Sequence, residues 1–157
     1  MGLFDKVKSL KNSITGGAAK VYLDCEPVRF DEPFVVTVRA QIQDASLKVN
    51  RVYLQVEGRE EVEVPDTDVV YESDGEQERR TEIVRAGCST TEIEVTVSEG
   101  QVLDANQSYE WQAAVELPGS ALPVYKGRYC RHVYVARASL DCFGNDPDSG
   151  WQEINEE

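Results

Sequence analysis

From Gln107 to Leu117 the side chains change sides at every residue: Tyr109, Trp111, Ala113, Val115 and Leu117 alternate with Ser108, Glu110, Gln112, Ala114 and Glu116. A period of two held over that length describes a strand with one apolar and one wet face. A proline-bracketed loop from Leu117 to Pro123 follows, and then a second β-rich run from Val124 to Leu140. The spacing predicts a hairpin between the two runs. A lone hairpin is marginal in water, so the rest of the chain must supply a layer that covers the Tyr109/Trp111 face.

The other segments keep the same period. Lys20 to Cys25 and Val28 to Phe30 are expected strands, broken at Pro27, and Phe34, Val36, Val38, Ala40 and Ile42 mark the apolar face of a stronger one. Val52, Leu54 and Val56 mark the next, from Val49 to Glu57; the short connection through Asp44-Ala45-Ser46 predicts that these two pair antiparallel. Gly58 to Arg85 is more polar and predicts strand fragments at 62–64, 69–71 and 77–84, with a turn at Ser73-Asp74-Gly75. Thr91 to Ser98 alternates with Ile93, Val95 and Val97 inside; Glu99-Gly100 is read as a turn, and Val102 and Leu103 as plugs entering the core from a loop. In the last long run Tyr129, Val133 and Val135 have one parity and Cys130, His132, Tyr134, Ala136, Ala138 and Leu140 the other, which requires burial on both faces or a bulge. Strands at this spacing, with no interior helix, predict an all-β chain: two antiparallel sheets packed face to face in an immunoglobulin-like sandwich.

The start reads differently. Leu3, Phe4, Val7, Leu10 and Ile14 fall at near-helical spacing among Asp5, Lys6, Lys8 and Lys11, predicting a short amphipathic helix in residues 1–16 ahead of one domain in 17–157. Two roles fit such a helix: docking on the domain's edge, or contacting a partner or the surface of a membrane through its cationic side. Lys6 stands where a myristoylation pattern needs Ser or Thr. Asp5, Lys6 and Lys8 interrupt what a secretory leader would require.

At 157 residues the chain is the size of one domain, without an apolar run long enough to span a bilayer. Its net charge of −13 repels phosphate backbones and argues against nucleic acid as a partner. The acids crowded between Glu57 and Glu82 protect strand edges from pairing with other chains, or else form a face for a basic partner. Four scattered cysteines without a C-x-x-C pair fit reduced thiols in a cytoplasmic protein.

For catalysis the chain offers one histidine, His132, and no nucleophile elbow. Zinc spacing is missing, the oxygen-rich Asn145 to Gly150 loop fails the EF-hand template, and no glycine loop suits a phosphate. No catalytic, cofactor-binding or metal-binding residue is therefore expected.

Tyr109-Glu110-Trp111 through Leu117-Pro118-Gly119-Ser120, followed by Val124-Tyr125 and Val133-Tyr134-Val135, resembles the arrestin N-terminal domain. That family has an aromatic-alternating strand ending in Leu-Pro, a loop with Pro and Ser, and a long strand to the domain's end. Lys20 to Cys25, Phe34 to Gln43 and Val49 to Gly58 fit its first three strands in order, and the start through Gly16-Gly17-Ala18-Ala19-Lys20-Val21 is similar to bacterial sporulation-control proteins of the same clan. The resemblance implies a non-catalytic adaptor or scaffold that binds other proteins. The chain is too short for the second sandwich and interdomain charge cluster of arrestins, so receptor-type activation does not carry over. Leu3, Phe4, Val7 and Leu10 of the first segment, with Ser120 and Leu122 of the loop, are the expected partner-binding residues. The alternative is a small-ligand or carbohydrate-binding sandwich that uses Trp151 as an aromatic platform.

Overall fold

The computed structural model describes residues 17–155, and every regular element in that range is a strand. The helix expected in residues 1–16 lies outside the described residues. The strands are β1 (Ala19–Cys25), β2 (Phe34–Ile42), β3 (Leu47–Tyr71), β4 (Gln77–Leu103), β5 (Ser108–Val115), β6 (Tyr125–Lys126), β7 (Cys130–Cys142) and β8 (Gln152–Glu153). They form two antiparallel sheets, one in the order β1-β2-β5 and one in the order β4-β3-β7-β6 with β8 also on β7. β1 lies over β7 and β5 over β4.

Alternation explains the core. Phe34, Val36, Val38, Ala40 and Ile42 of β2 are all buried, and across from them stand Val52, Leu54 and Val56 of β3 and Tyr134, Ala136, Ala138 and Leu140 of β7. Two expected pairings are corrected here. β2 pairs with β1 and β5 rather than β3, and β5 pairs with β2 rather than with the run after the proline loop. In both cases the short connection crosses from one sheet to the other, so the two apolar faces meet across the core instead of lying side by side. Val28 to Phe30 is also not a strand, although Val28 is buried and its N–H donates to the Ile154 carbonyl at 3.0 Å.

β7 is buried on both faces, which resolves its double parity without a bulge in that strand. His132, Tyr134 and Ala136 face the core, while Val133 and Val135 are buried on the other face, where the Trp151 ring packs on Arg59 and Arg137. Guanidinium groups of Arg59 and Arg137 lie 4.5 and 4.6 Å from the Trp151 ring. Within the Asn145 to Gly150 loop the carboxylates hold the chain itself. Asp146 accepts from the Tyr53 hydroxyl at 2.9 Å and the Cys142 N–H at 3.2 Å, and Asp148 from the Gly150 N–H at 2.6 Å.

The fragments expected between Gly58 and Arg85 are one continuous hairpin, with β3 and β4 in register from Arg59↔Ser89 out to Tyr71↔Gln77. The Ser73-Asp74-Gly75 turn is present, with Gly75 at φ +86 where a side chain would be strained. Pro65 does not break the ladder. The Glu63 N–H points away from β4, donating to Tyr129 O at 2.7 Å, so Pro65 two residues on places its missing donor on that same edge, past the end of the β7 pairing. Glu99-Gly100 is not a turn, since β4 runs on to Leu103; Leu103 is buried as expected, but Val102 is exposed. The reversal comes afterwards, at Asp104 to Gln107, with Asn106 at φ 60.

All four cysteines are free, with Cys88 and Cys130 exposed, Cys25 half-buried and Cys142 buried. Burial, then the carboxylates of Asp24 and Glu26, push the Cys25 thiol up to about 12. A raised pKa stabilises the fold below the ordinary thiol range, and that contribution is lost as pH climbs toward the folded value. A disulfide-exchange reagent at pH 8 is expected to titrate Cys88 and Cys130 rapidly and the other two only in denaturant. Stability is expected to decline between about pH 9 and 12, less steeply in Cys25→Ala; four equally fast thiols would contradict this packing.

Candidate functional site

Where the three-stranded sheet ends near Phe34 and Val115, the larger sheet continues, and the junction is closed by a knot of polar side chains. Gly58 sits opposite Thr91 and Arg59 opposite Ser89, so Thr90 is the extra residue of a bulge in β4. The bulge turns the Thr90 side chain inward, to 2.6 Å from Nε2 of buried His132. Nδ1 of that ring lies 3.0 Å from the Pro123 carbonyl. A carbonyl only accepts, so Nδ1 carries the proton and Nε2 accepts from Thr90. The Tyr134 hydroxyl donates to the Leu122 carbonyl at 2.6 Å, and the Tyr134 ring stands edge-on to His132 with centroids 5.1 Å apart. Burial pushes the Tyr134 phenol above its ordinary value. Both ring nitrogens of His132 are thus engaged, Nδ1 fastening the 118–124 loop to the sheet and Nε2 holding the bulge of β4. The ring has no free nitrogen with which to act as a base.

Gly58 makes this closure fit. A Cβ there would meet Thr90 Oγ1 at 2.7 Å, Tyr134 Cε1 at 3.0 Å and His132 Nε2 at 3.2 Å.

Beyond the knot the core-side face of β3, β4 and β7 runs out from under its cover. The register puts Val62, Ala86 and Cys130 in one row and Val64 with Val84 in the next, all on the face that carries Gly58 and His132. Val84 is 51% exposed, and Leu122 and Tyr125 at the near rim are 44% and 57% exposed. This apolar apron is bordered further out by Asp66 opposite Glu82. Like charges directly opposite in a sheet repel, so that rim favours a cation between them. The opposite face of the same strands begins with ion pairs, Arg131 2.7 Å from Glu61 and Arg85 3.1 Å from Glu63, and further out carries Pro65 beside the exposed Ile83. A cleft of about 620 Å³ opens where β7 stops, lined among others by Val62, Ala86, Cys130 and Arg128.

Of the expected partner-binding residues, Leu3, Phe4, Val7 and Leu10 lie outside the described residues. Ser120 is exposed and lines a groove of about 590 Å³ with Thr90 to Ile93 and Leu117. Leu122 is exposed as well, and its carbonyl accepts from the Tyr134 hydroxyl. The apron was not among the expected sites. Its sequence trace is the even-numbered Val62 and Val64, which keep the core parity of Leu54 and Val56 past the point where core ends. Among the described residues no group of histidine, cysteine and acidic side chains is placed to hold a metal ion, and no helix is long and apolar enough to cross a membrane.

No protein-family model and no curated protein sequence matches this chain. Among solved structures it is similar to Spo0M, a sporulation control protein from Bacillus subtilis, with a TM-score of 0.60 and 18% identity over 90% of this chain. The chain spans only 50% of the Spo0M structure. A structural-genomics target, SoR45, aligns over 91% of this chain and 90% of its own at 8% identity and a TM-score of 0.32, too low to inform the fold. At such identity the likeness to Spo0M is one of fold, and it supports the two-sheet architecture derived from the strands.

Proposed function

We propose that this chain is a non-catalytic adaptor or scaffold module, an arrestin-like sandwich that holds other proteins. The observation that carries the reading is the apron: a two-stranded extension of the sheet that leaves Val64 and Val84 in solvent beside an acidic rim, with Tyr125 of β6 exposed at its near end. An isolated ribbon is marginal alone, and an uncovered apolar face on it is the kind of surface a partner covers. The resemblance to arrestins supports the same reading, and four unpaired cysteines are compatible with a reducing compartment such as the cytoplasm. The carbohydrate platform is the weaker reading, because guanidinium groups at 4.5 and 4.6 Å occupy the Trp151 ring that a sugar would need.

A photo-crosslinking residue placed at Val84 in the native cell is expected to trap discrete protein adducts, while the same residue at Gln112, on the outer face of β5, traps only background. Identical adduct patterns from the two positions would sink the proposal.

A further inference from the structure

The apron combines two demands on whatever covers it: apolar side chains for Val62, Val64, Val84 and Ala86, and cations for the rim of Asp66 and Glu82. The rest of the hairpin is also acidic, with Glu63, Asp68, Glu72, Asp74, Glu76 and Glu78 against Arg79, Arg80 and Arg85. The chain itself contains one stretch of the complementary kind: Leu3, Phe4, Val7 and Leu10 interleaved with Lys6, Lys8 and Lys11. It cannot serve its own apron. The Ala18 carbonyl accepts from the Gln43 N–H at 3.1 Å and the Gln43 carbonyl from Asn106 at 2.8 Å, which fixes the start of the described chain beside Leu103. Leu103 pairs with Leu47, and from Leu47 to Val62 the strand runs on the order of 45 Å at its usual rise. Fully extended, the chain carries Leu10 only about 25 Å and Val7 about 36 Å from Gly17, and Phe4 and Leu3, at about 47 and 50 Å, come no further than the near edge of the apron at Val62, so the four apolar side chains cannot lie along it together.

We propose that the apron is covered in trans, by residues 1–16 of a second copy of this chain. The proposal rests on the protein-binding reading above and names the partner. Because the segment leaves one end of the sandwich and the apron lies at the other, two copies side by side and antiparallel, related by a two-fold axis, exchange segments reciprocally. Such an exchange closes on itself and stops at a dimer.

Sedimentation of the full chain over 1 to 200 µM tests it. The wild type is expected to pass from monomer to dimer, with association weakening as salt rises. Phe4→Asp with Leu10→Asp, and separately Val64→Asp with Val84→Asp, are each expected to remain monomeric throughout. Val64 and Val84 are already exposed, so that pair should leave the thermal midpoint within a few degrees of wild type. Mixing the two broken variants is expected to restore a one-to-one complex, because one supplies an intact segment and the other an intact apron. A monomeric wild type at 200 µM, a mixture that fails to associate, or a dimer that survives either double substitution would overturn exchange in trans. If the Val84 crosslinker still traps a foreign protein in those cases, the adaptor reading stands and only the identity of the occupant falls.

Discussion

Replacing Leu54 by alanine is expected to destabilise the fold by about 3 kcal/mol, the middle of the range for a buried leucine that leaves a partly collapsed cavity. Leu54 is wholly buried in the covered half of β3, between Val95 on β4 and Ala138 on β7, and it faces β2 across the interior. Its methyl groups are held from two sheets, so no single strand can slide in to fill the space. Equilibrium unfolding in urea should show a lower midpoint at unchanged slope, and the thermal midpoint should fall by roughly 10 °C for a chain of this size. Val84→Ala, on the same hairpin but half in solvent, is expected to change stability by no more than about 0.5 kcal/mol. If the two substitutions cost the same, the division of the hairpin into a buried half and an uncovered half is wrong.

That contrast also marks how far alternation can be read. It identifies the buried face of a strand without reference to any other strand, which is why Phe34 to Ile42, Leu54 and Tyr109 to Val115 are readable from the sequence alone. It does not identify the neighbour on either edge. A short link such as Asp44-Ala45-Ser46 serves equally to turn a hairpin or to step between sheets, and here it steps. Charge obscured the length of β3 and β4, because acids on a two-stranded ribbon suggest broken fragments when the ladder in fact needs no buried face to continue. The polar knot was hidden for another reason: Gly58, Thr90, Pro123 and His132 are separated in sequence and meet only through a bulge. One trace was available. A glycine between Val56 and Val62, inside an alternating strand, marks a place where something approaches the backbone closely.

Gly58→Ala tests that approach, and it is expected to cost about 4 kcal/mol, combining overpacking with the loss of a buried hydrogen bond. The new methyl group would stand 2.7 Å from Thr90 Oγ1, inside any tolerable contact, and 3.0 Å from the Tyr134 ring. Thr90 is the neighbour best able to yield, since it is the extra residue of the bulge, but yielding takes its hydroxyl from His132 Nε2. The imidazole is then left buried with an unsatisfied acceptor, and the hold on Pro123 and the 118–124 loop weakens with it. Thr90→Ala alone should cost about 2 kcal/mol for the same unsatisfied nitrogen. The double substitution should cost at least about 1 kcal/mol less than the sum, because removing the hydroxyl also removes the closest clash. Additivity to within about 0.5 kcal/mol would mean that Gly58 and Thr90 do not meet, and the knot would have to be redrawn.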